Sequence, residues 1–238
     1  MTSPTPVVPG QLASYWEFIF ENLSQLIVAT LEHIEIITIS IALAVPIGVG
    51  LGILITFDER LATVVIWLAG VMMTIPSIAM FGLLIPFVGI GAEPVIVALV
   101  LYSQLPVIRN TYVGLTDIDP AALEAGRAMG MTRVQLLRQV QIPKALPVIM
   151  AGVRNSVVIL IGIAAIGAFI GAGGLGTFIF DGIARANVPM IVVATIILSV
   201  LALAFDYAFK VSEQVFRLKN GEQIEPSRLT RLIQRVRA

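Results

Sequence analysis

The sequence predicts an all-α, polytopic membrane fold with about five transmembrane helices. Three observations carry that expectation. The 238 residues are 58% hydrophobic and only 13% charged, with a mean hydropathy of +0.96. Soluble domains run about 45–50% apolar and about 25% charged. The apolar residues fall in runs near the roughly 20 residues that cross a bilayer core. The charged residues concentrate between those runs.

The first span is read as Ile34–Phe57. Ahead of it, Tyr15–Leu31 is long enough for a sixth span, but Glu17, Glu21, Asn22 and Gln25 favour an interfacial helix. The second run, Leu61–Val88, is long for one crossing and is broken by Pro76, so a tilt or kink is expected there. Spans three to five are Pro94–Tyr112, Leu146–Ile170 and Val188–Lys210. No basic n-region opens the chain, so the first twenty residues do not read as a signal peptide.

Charge sets the expected orientation. Net charge is zero, yet residues 1–59 contain no Lys or Arg and carry Glu17, Glu21, Glu32, Glu35, Asp58 and Glu59. With the N-terminus outside, the segments Asp58–Arg60, Val113–Ala145 and the tail after Lys210 lie inside. Of the fifteen basic residues, only Arg185 then falls outside, as the positive-inside rule requires.

Several chemistries are excluded. There is no Cys and a single histidine, His33, so neither disulfides, thiolate metal sites nor a multi-histidine centre can form. A phosphate-binding loop needs Gly-x-x-x-x-Gly-Lys-Ser/Thr, and none of Lys144, Lys210 and Lys219 sits in one. No catalytic residue, metal, cofactor or nucleic-acid partner is expected. Gly171–Gly176 lacks the strand that a dinucleotide fingerprint must follow. It reads as a turn bending the chain back to the membrane.

The polar interlude Val113–Ala145 is the most informative segment. Asp119 and Pro120 suit an N-cap and first helical position. Gly130 interrupts the helix that follows. A second helix, Arg133–Val140, presents Val134, Leu137 and Val140 at helical spacing. Pro143 is expected to stop it, and Pro147 to open the next span. Physics alone allows either a docking projection or an amphipathic loop lying on the membrane.

Glu124-Ala125-Gly126, then Gly130, then Val140-Gln141-Ile142-Pro143 resembles the E-A-A, three residues, G, nine residues, I-x-L-P loop of ABC importer permeases. The departures are Gly126 for Ala, Val140 for Ile and Ile142 for Leu. Thr74-Ile75-Pro76-Ser77, Leu105–Tyr112 and Gly171–Gly176 also resemble the type-1 permease fold. The similarity covers roughly residues 25–209, between an extracytoplasmic segment 1–24 and a basic tail 210–238. It is greatest to permeases of glycine betaine, carnitine and choline osmoprotectant systems. The resemblance implies a subunit that couples to ATPases through Glu124, Ala125, Gly126, Gly130, Val140, Ile142 and Pro143. It implies two cytoplasmic ATPases, a second permease, same or homologous, and an extracytoplasmic binding protein. Permeases for methionine or other amino acids share the fold. A self-contained channel or secondary transporter is the reading from another class, and five spans without an inverted repeat argue against it.

Further candidates come from the spans. Met73, Pro76, Ser77 and Met80, with Tyr102 and Gln104, are candidates for a translocation path, soft and polarizable enough for a quaternary ammonium; core packing is their alternative. Arg154 and Asp206 are the ionisable groups set deep in spans four and five, and are expected to pair near the inner gate, unless each reaches interfacial water alone or Asp206 pairs with Lys210. Gly48-x-x-x-Gly52 and Gly167-x-x-x-Gly171 suit close helix packing. Ser227–Ala238 reads as a basic amphipathic helix.

Overall fold

The computed structural model describes residues 9–219; the expected amphipathic tail at 227–238 lies outside them. No strand occurs among the described residues. Four helices are long and apolar enough to cross a membrane, and a fifth crossing is made if the bent pair Glu59–Thr74 and Ser77–Val88 is one broken span.

Helix α1, Pro9–Leu54, is one unbroken helix of 46 residues. The helix expected at Tyr15–Leu31 is therefore not separate but continuous with the first span. Nothing in that stretch breaks the helix. Its polar residues lie on the uncovered face, while Leu26, Ala29, His33, Ile36 and Ile37 are buried at spacings of three and four. A 3₁₀ turn at Ile55–Phe57 follows, and Asp58 caps α2, Glu59–Thr74, by accepting from the Arg60 and Leu61 amides.

At Pro76 the expected kink is a full break. Helices α2 and α3, Ser77–Val88, meet at 101°. Ile75 and Pro76 both take extended backbone, with ψ of 126° and 135°. A proline disfavours helical geometry in the residue before it, and two extended residues in sequence end the helix. The Tyr102 hydroxyl donates to the Ile75 carbonyl at 2.7 Å and anchors the elbow.

Helix α4, Ala92–Thr116, is the central element, packed against α1 on one side and α7, Ile142–Ile166, on the other. Gly48 and Gly52 of α1 explain that closeness. A Cβ on Gly48 would lie 2.6 Å from Val107, and one on Gly52 2.5 Å from Thr111. In the second small-residue pair only Gly167 makes such an approach, to Val95 at 2.7 Å, while Gly171 has open space.

Helix α7 runs into a 3₁₀ turn at Gly167–Ile170. A loop with positive φ at Gly171, Gly173 and Gly174 then leads into α8, Leu175–Ala184, and α9, Val188–Lys219, returns across the bundle. The Gly171–Gly176 turn is firmly held. The Gly174 amide donates to the Glu32 carboxylate at 2.9 Å, and Gly176 packs onto the Ala165 backbone.

Candidate functional site

The segment after α4 folds as its local chemistry dictates. Asp119 accepts from the Ala121 amide at 2.9 Å and caps α5, Pro120–Ala128, with Pro120 in the first turn. Gly130, at φ 77°, ends it. Its amide donates to Arg127 and the Met131 amide to Gly126, the paired bonds of a Schellman C-cap. Thr132 and Gln135 then form a capping box for α6, Arg133–Leu136.

Beyond α6 the sequence expectation fails. Pro143 does not stop the helix. Residues Leu137–Gln141 form a π turn that continues into α7, and Arg133–Ile170 counts as one helical rod of 38 residues. Pro143 stands in the first turn of α7, where its missing N–H costs little. Pro147, expected to open the span, lies inside α7.

The apolar face also differs. Leu136, not Val134, is the buried anchor, and Val134 is 60% exposed. A Cβ on Gly126 would fall 2.5 Å from Leu136 Cδ1. That contact gives the Gly126 departure from Ala a physical reason: α5 closes onto Leu136 through the missing methyl. Leu137 and Ile142 pack instead on Leu115, Ala145 and Ile149. Glu124, Ala125, Arg127, Met129 and Arg133 remain exposed, while Val140 and Pro143 are half-buried.

The candidate path residues divide into two groups. Pro76 is exposed at the elbow, with Met73 and Ser77 half-buried beside it. Met80 and Tyr102 are enclosed in the central core. Gln104 is buried too, its amide nitrogen donating to the Val100 carbonyl at 2.7 Å and, more weakly, to that of Ala44 at 3.4 Å.

Arg154 and Asp206 meet in a two-pronged ion pair between α7 and α9, with Nε–Oδ1 at 2.6 Å and Nη2–Oδ2 at 3.0 Å. The alternative partner, Lys210, makes no ion pair with Asp206 among the described residues. A third member was missed from sequence. Glu213 lies 3.9 Å from Arg154 and also binds Arg217 at 3.0 Å. Its spacing of seven from Asp206 puts both on one face of α9, which is the signal that could have found it. Among the described residues there is no metal-binding cluster.

Residues 44–218 match the family described as binding-protein-dependent transport system inner membrane component. The chain belongs to that family. It is 43% identical over 195 residues to the osmoprotectant import permease protein OsmW of Salmonella typhimurium, covering 80% of this chain and 91% of the relative. It is 39% identical to the choline transport system permease protein OpuBB of Bacillus subtilis, covering 83% and 91%. Among solved structures, an inward-facing MetNI methionine ABC transporter chain superposes with a TM-score of 0.72 at 24% identity, covering 82% of this chain and 98% of that one. At that identity the likeness establishes the type-1 permease fold alone. As a family member the chain is an inner-membrane subunit of an ABC transport system. It is not an enzyme. ATP hydrolysis belongs to an ATPase partner, and solute delivery to a binding protein.

Proposed function

We propose that this chain is the permease of an ATP-driven importer for quaternary-ammonium osmoprotectants such as glycine betaine, choline or carnitine. The observation that carries the reading is the 43% identity to an osmoprotectant import permease over 80% of the chain. Relatives named for carnitine and choline transport support it at 41% and 39%.

The subunit works with a second permease, same or homologous, two cytoplasmic ATPases and an extracytoplasmic binding protein. The N-terminus is outside and the C-terminus in the cytoplasm. Helix α5, the Gly130 turn and the start of the α6–α7 rod form the coupling surface, with Glu124 and Gly130 as anchors and exposed Met129 and Val134 as apolar contacts. Val140, Ile142 and Pro143 tie that surface to the rod. ATPase closure moves the surface, the rod carries the displacement into the membrane, and the Arg154–Asp206 pair passes it to α9 at the inner gate. Met73, Pro76 and Ser77 face the path between the two permeases. Met80 and Tyr102 sit behind them, Tyr102 holding the elbow through the Ile75 carbonyl, while Gln104 ties α4 to α1.

The test is uptake of labelled glycine betaine, choline and carnitine into vesicles holding the complete transporter and its binding protein. Glu124→Arg combined with Gly130→Asp should abolish ATP-dependent uptake while membrane insertion stays normal. Full uptake by that variant overturns the coupling assignment. No uptake of any of the three solutes by the wild type overturns the substrate class.

A further inference from the structure

The acid-only first quarter of the chain has a structural counterpart at the outer end of the bundle. Glu21, Gln25, Glu32 and Glu35 lie three, four and seven residues apart, so they line one stripe of α1. That stripe is not covered by α4 or α7, and Glu21, Gln25, Glu32 and Glu35 are all exposed.

Helix α8 lies along the stripe because it is pinned there. The Glu32 carboxylate holds the Gly174 amide, and a Cβ on Gly173 would come within 2.6 Å of the same carboxylate. Gly174 rests on His33, whose Nε2 donates to the Ile161 carbonyl at 3.1 Å. Further along, Phe178 meets Phe18 edge to face, at 6.3 Å between centroids and 82° between planes.

Between α1, α8 and the start of α9 this leaves a cavity of about 360 Å³, with Phe18, Glu21, Gln25, Phe178, Asp181 and Arg185 in its wall. Arg185 is the one basic residue expected on the outer side. It reaches Asp181 by a single bond of 3.3 Å, and their side chains are 70% and 47% exposed. An exposed pair of this kind contributes little, so both groups can turn to a ligand. Two aromatic rings, carboxylates and one guanidinium therefore converge on a concave site of ligand size.

We infer that this cavity binds a small zwitterion carrying a quaternary ammonium and a carboxylate. Glu21 and Asp181 face the ammonium, Phe18 and Phe178 meet its methyl groups, and Arg185 takes the carboxylate. The site is a waiting position for solute outside the membrane path, distinct from the binding protein. It discriminates glycine betaine and carnitine from choline, which lacks the carboxylate. The inference rests on the substrate class proposed above.

The test uses the complete transporter in lipid nanodiscs, without binding protein, titrated with labelled glycine betaine and labelled choline. Saturable glycine betaine binding is expected. Arg185→Gln should weaken it about tenfold, the loss of a charge-assisted contact, and leave choline unchanged. Glu21→Gln should weaken both. Because the chain has no cysteine, Gln25→Cys adds a single thiol at the cavity, and glycine betaine should slow its labelling by a membrane-impermeant maleimide. Absence of saturable binding, or binding that neither charge variant alters and that gives no protection, overturns the inference. Uptake with the binding protein, measured in parallel, separates the outcomes. Uptake without cavity binding sinks this site alone, and failure of uptake sinks the substrate class itself.

Discussion

Exchanging Arg154 and Asp206 tests the link between the rod and α9 most directly. The side chains form two hydrogen bonds, at 2.6 and 3.0 Å, and each is about one-third exposed, at 32% and 31%. Two unit charges about 4 Å apart at an effective dielectric near 20 interact by about 4 kcal/mol. Partial exposure reduces that to about 2–3 kcal/mol. Arg154→Asp sets a new carboxylate against Asp206 and Glu213. Asp206→Arg sets two guanidinium groups together, with Glu213, 3.9 Å from Arg154, offsetting part of the repulsion. Arg154→Asp is therefore the more damaging single change. Each single should lose uptake in reconstituted vesicles and lower thermal stability in detergent. The double exchange restores one positive and one negative partner and should recover most of both, with a coupling energy of about 2–3 kcal/mol in the double-mutant cycle. Additive losses, with the double variant inserted and folded, would refute the pairing as a functional link.

Three further outcomes follow from the packing. Gly52→Ala should destabilise the fold by about 2 kcal/mol, because its methyl meets Thr111 at 2.5 Å and the Ile108 carbonyl at 3.1 Å. Gly50→Ala, with open space around it, should be neutral or stabilising within about 1 kcal/mol; detergent melting curves compare the two. Tyr102→Phe removes the bond to Ile75 and should cost about 1 kcal/mol, read as faster hydrogen exchange at Met73–Ser77 with little change elsewhere. Glu32→Ala should loosen α8 by about 1 kcal/mol, while Glu32→Gln keeps an acceptor for the Gly174 amide; exchange rates of the α8 amides distinguish them.

Much of the fold was legible in the sequence because a bilayer admits few solutions. Four of the five apolar runs became helices long enough to cross, and the second became a bent pair. Gly48 and Gly52 were legible as a contact face because close helix approach requires small residues. Arg154 and Asp206 were legible as partners because so few ionisable groups lie deep in the spans. What escaped depended on backbone choices or distant pairing. Pro76 marks where α2 ends, but the 101° turn depends on extended geometry at both Ile75 and Pro76. Pro143 looked like a stop because a π turn upstream leaves no local signature. Glu32 and Gly174 lie 142 residues apart, and no periodicity joins them. At the coupling segment the caps were readable, whereas the Gly126–Leu136 contact needed the relative angle of α5 and α6.

The unbroken helix from Arg133 to Ile170 is roughly 57 Å long at about 1.5 Å per residue. Its tightest approach to α4 is at Gly152, near its midpoint. There a Cβ would lie 2.6 Å from Asn110 and 2.7 Å from the Pro106 carbonyl. Near its Ile170 end Gly167 approaches the same helix almost as closely, a Cβ there lying 2.7 Å from Val95. A stiff beam held at two such points cannot slide or pivot along its partner without breaking one of them. A push at the Arg133 end would therefore carry α4 with it, and the two helices would move as one body.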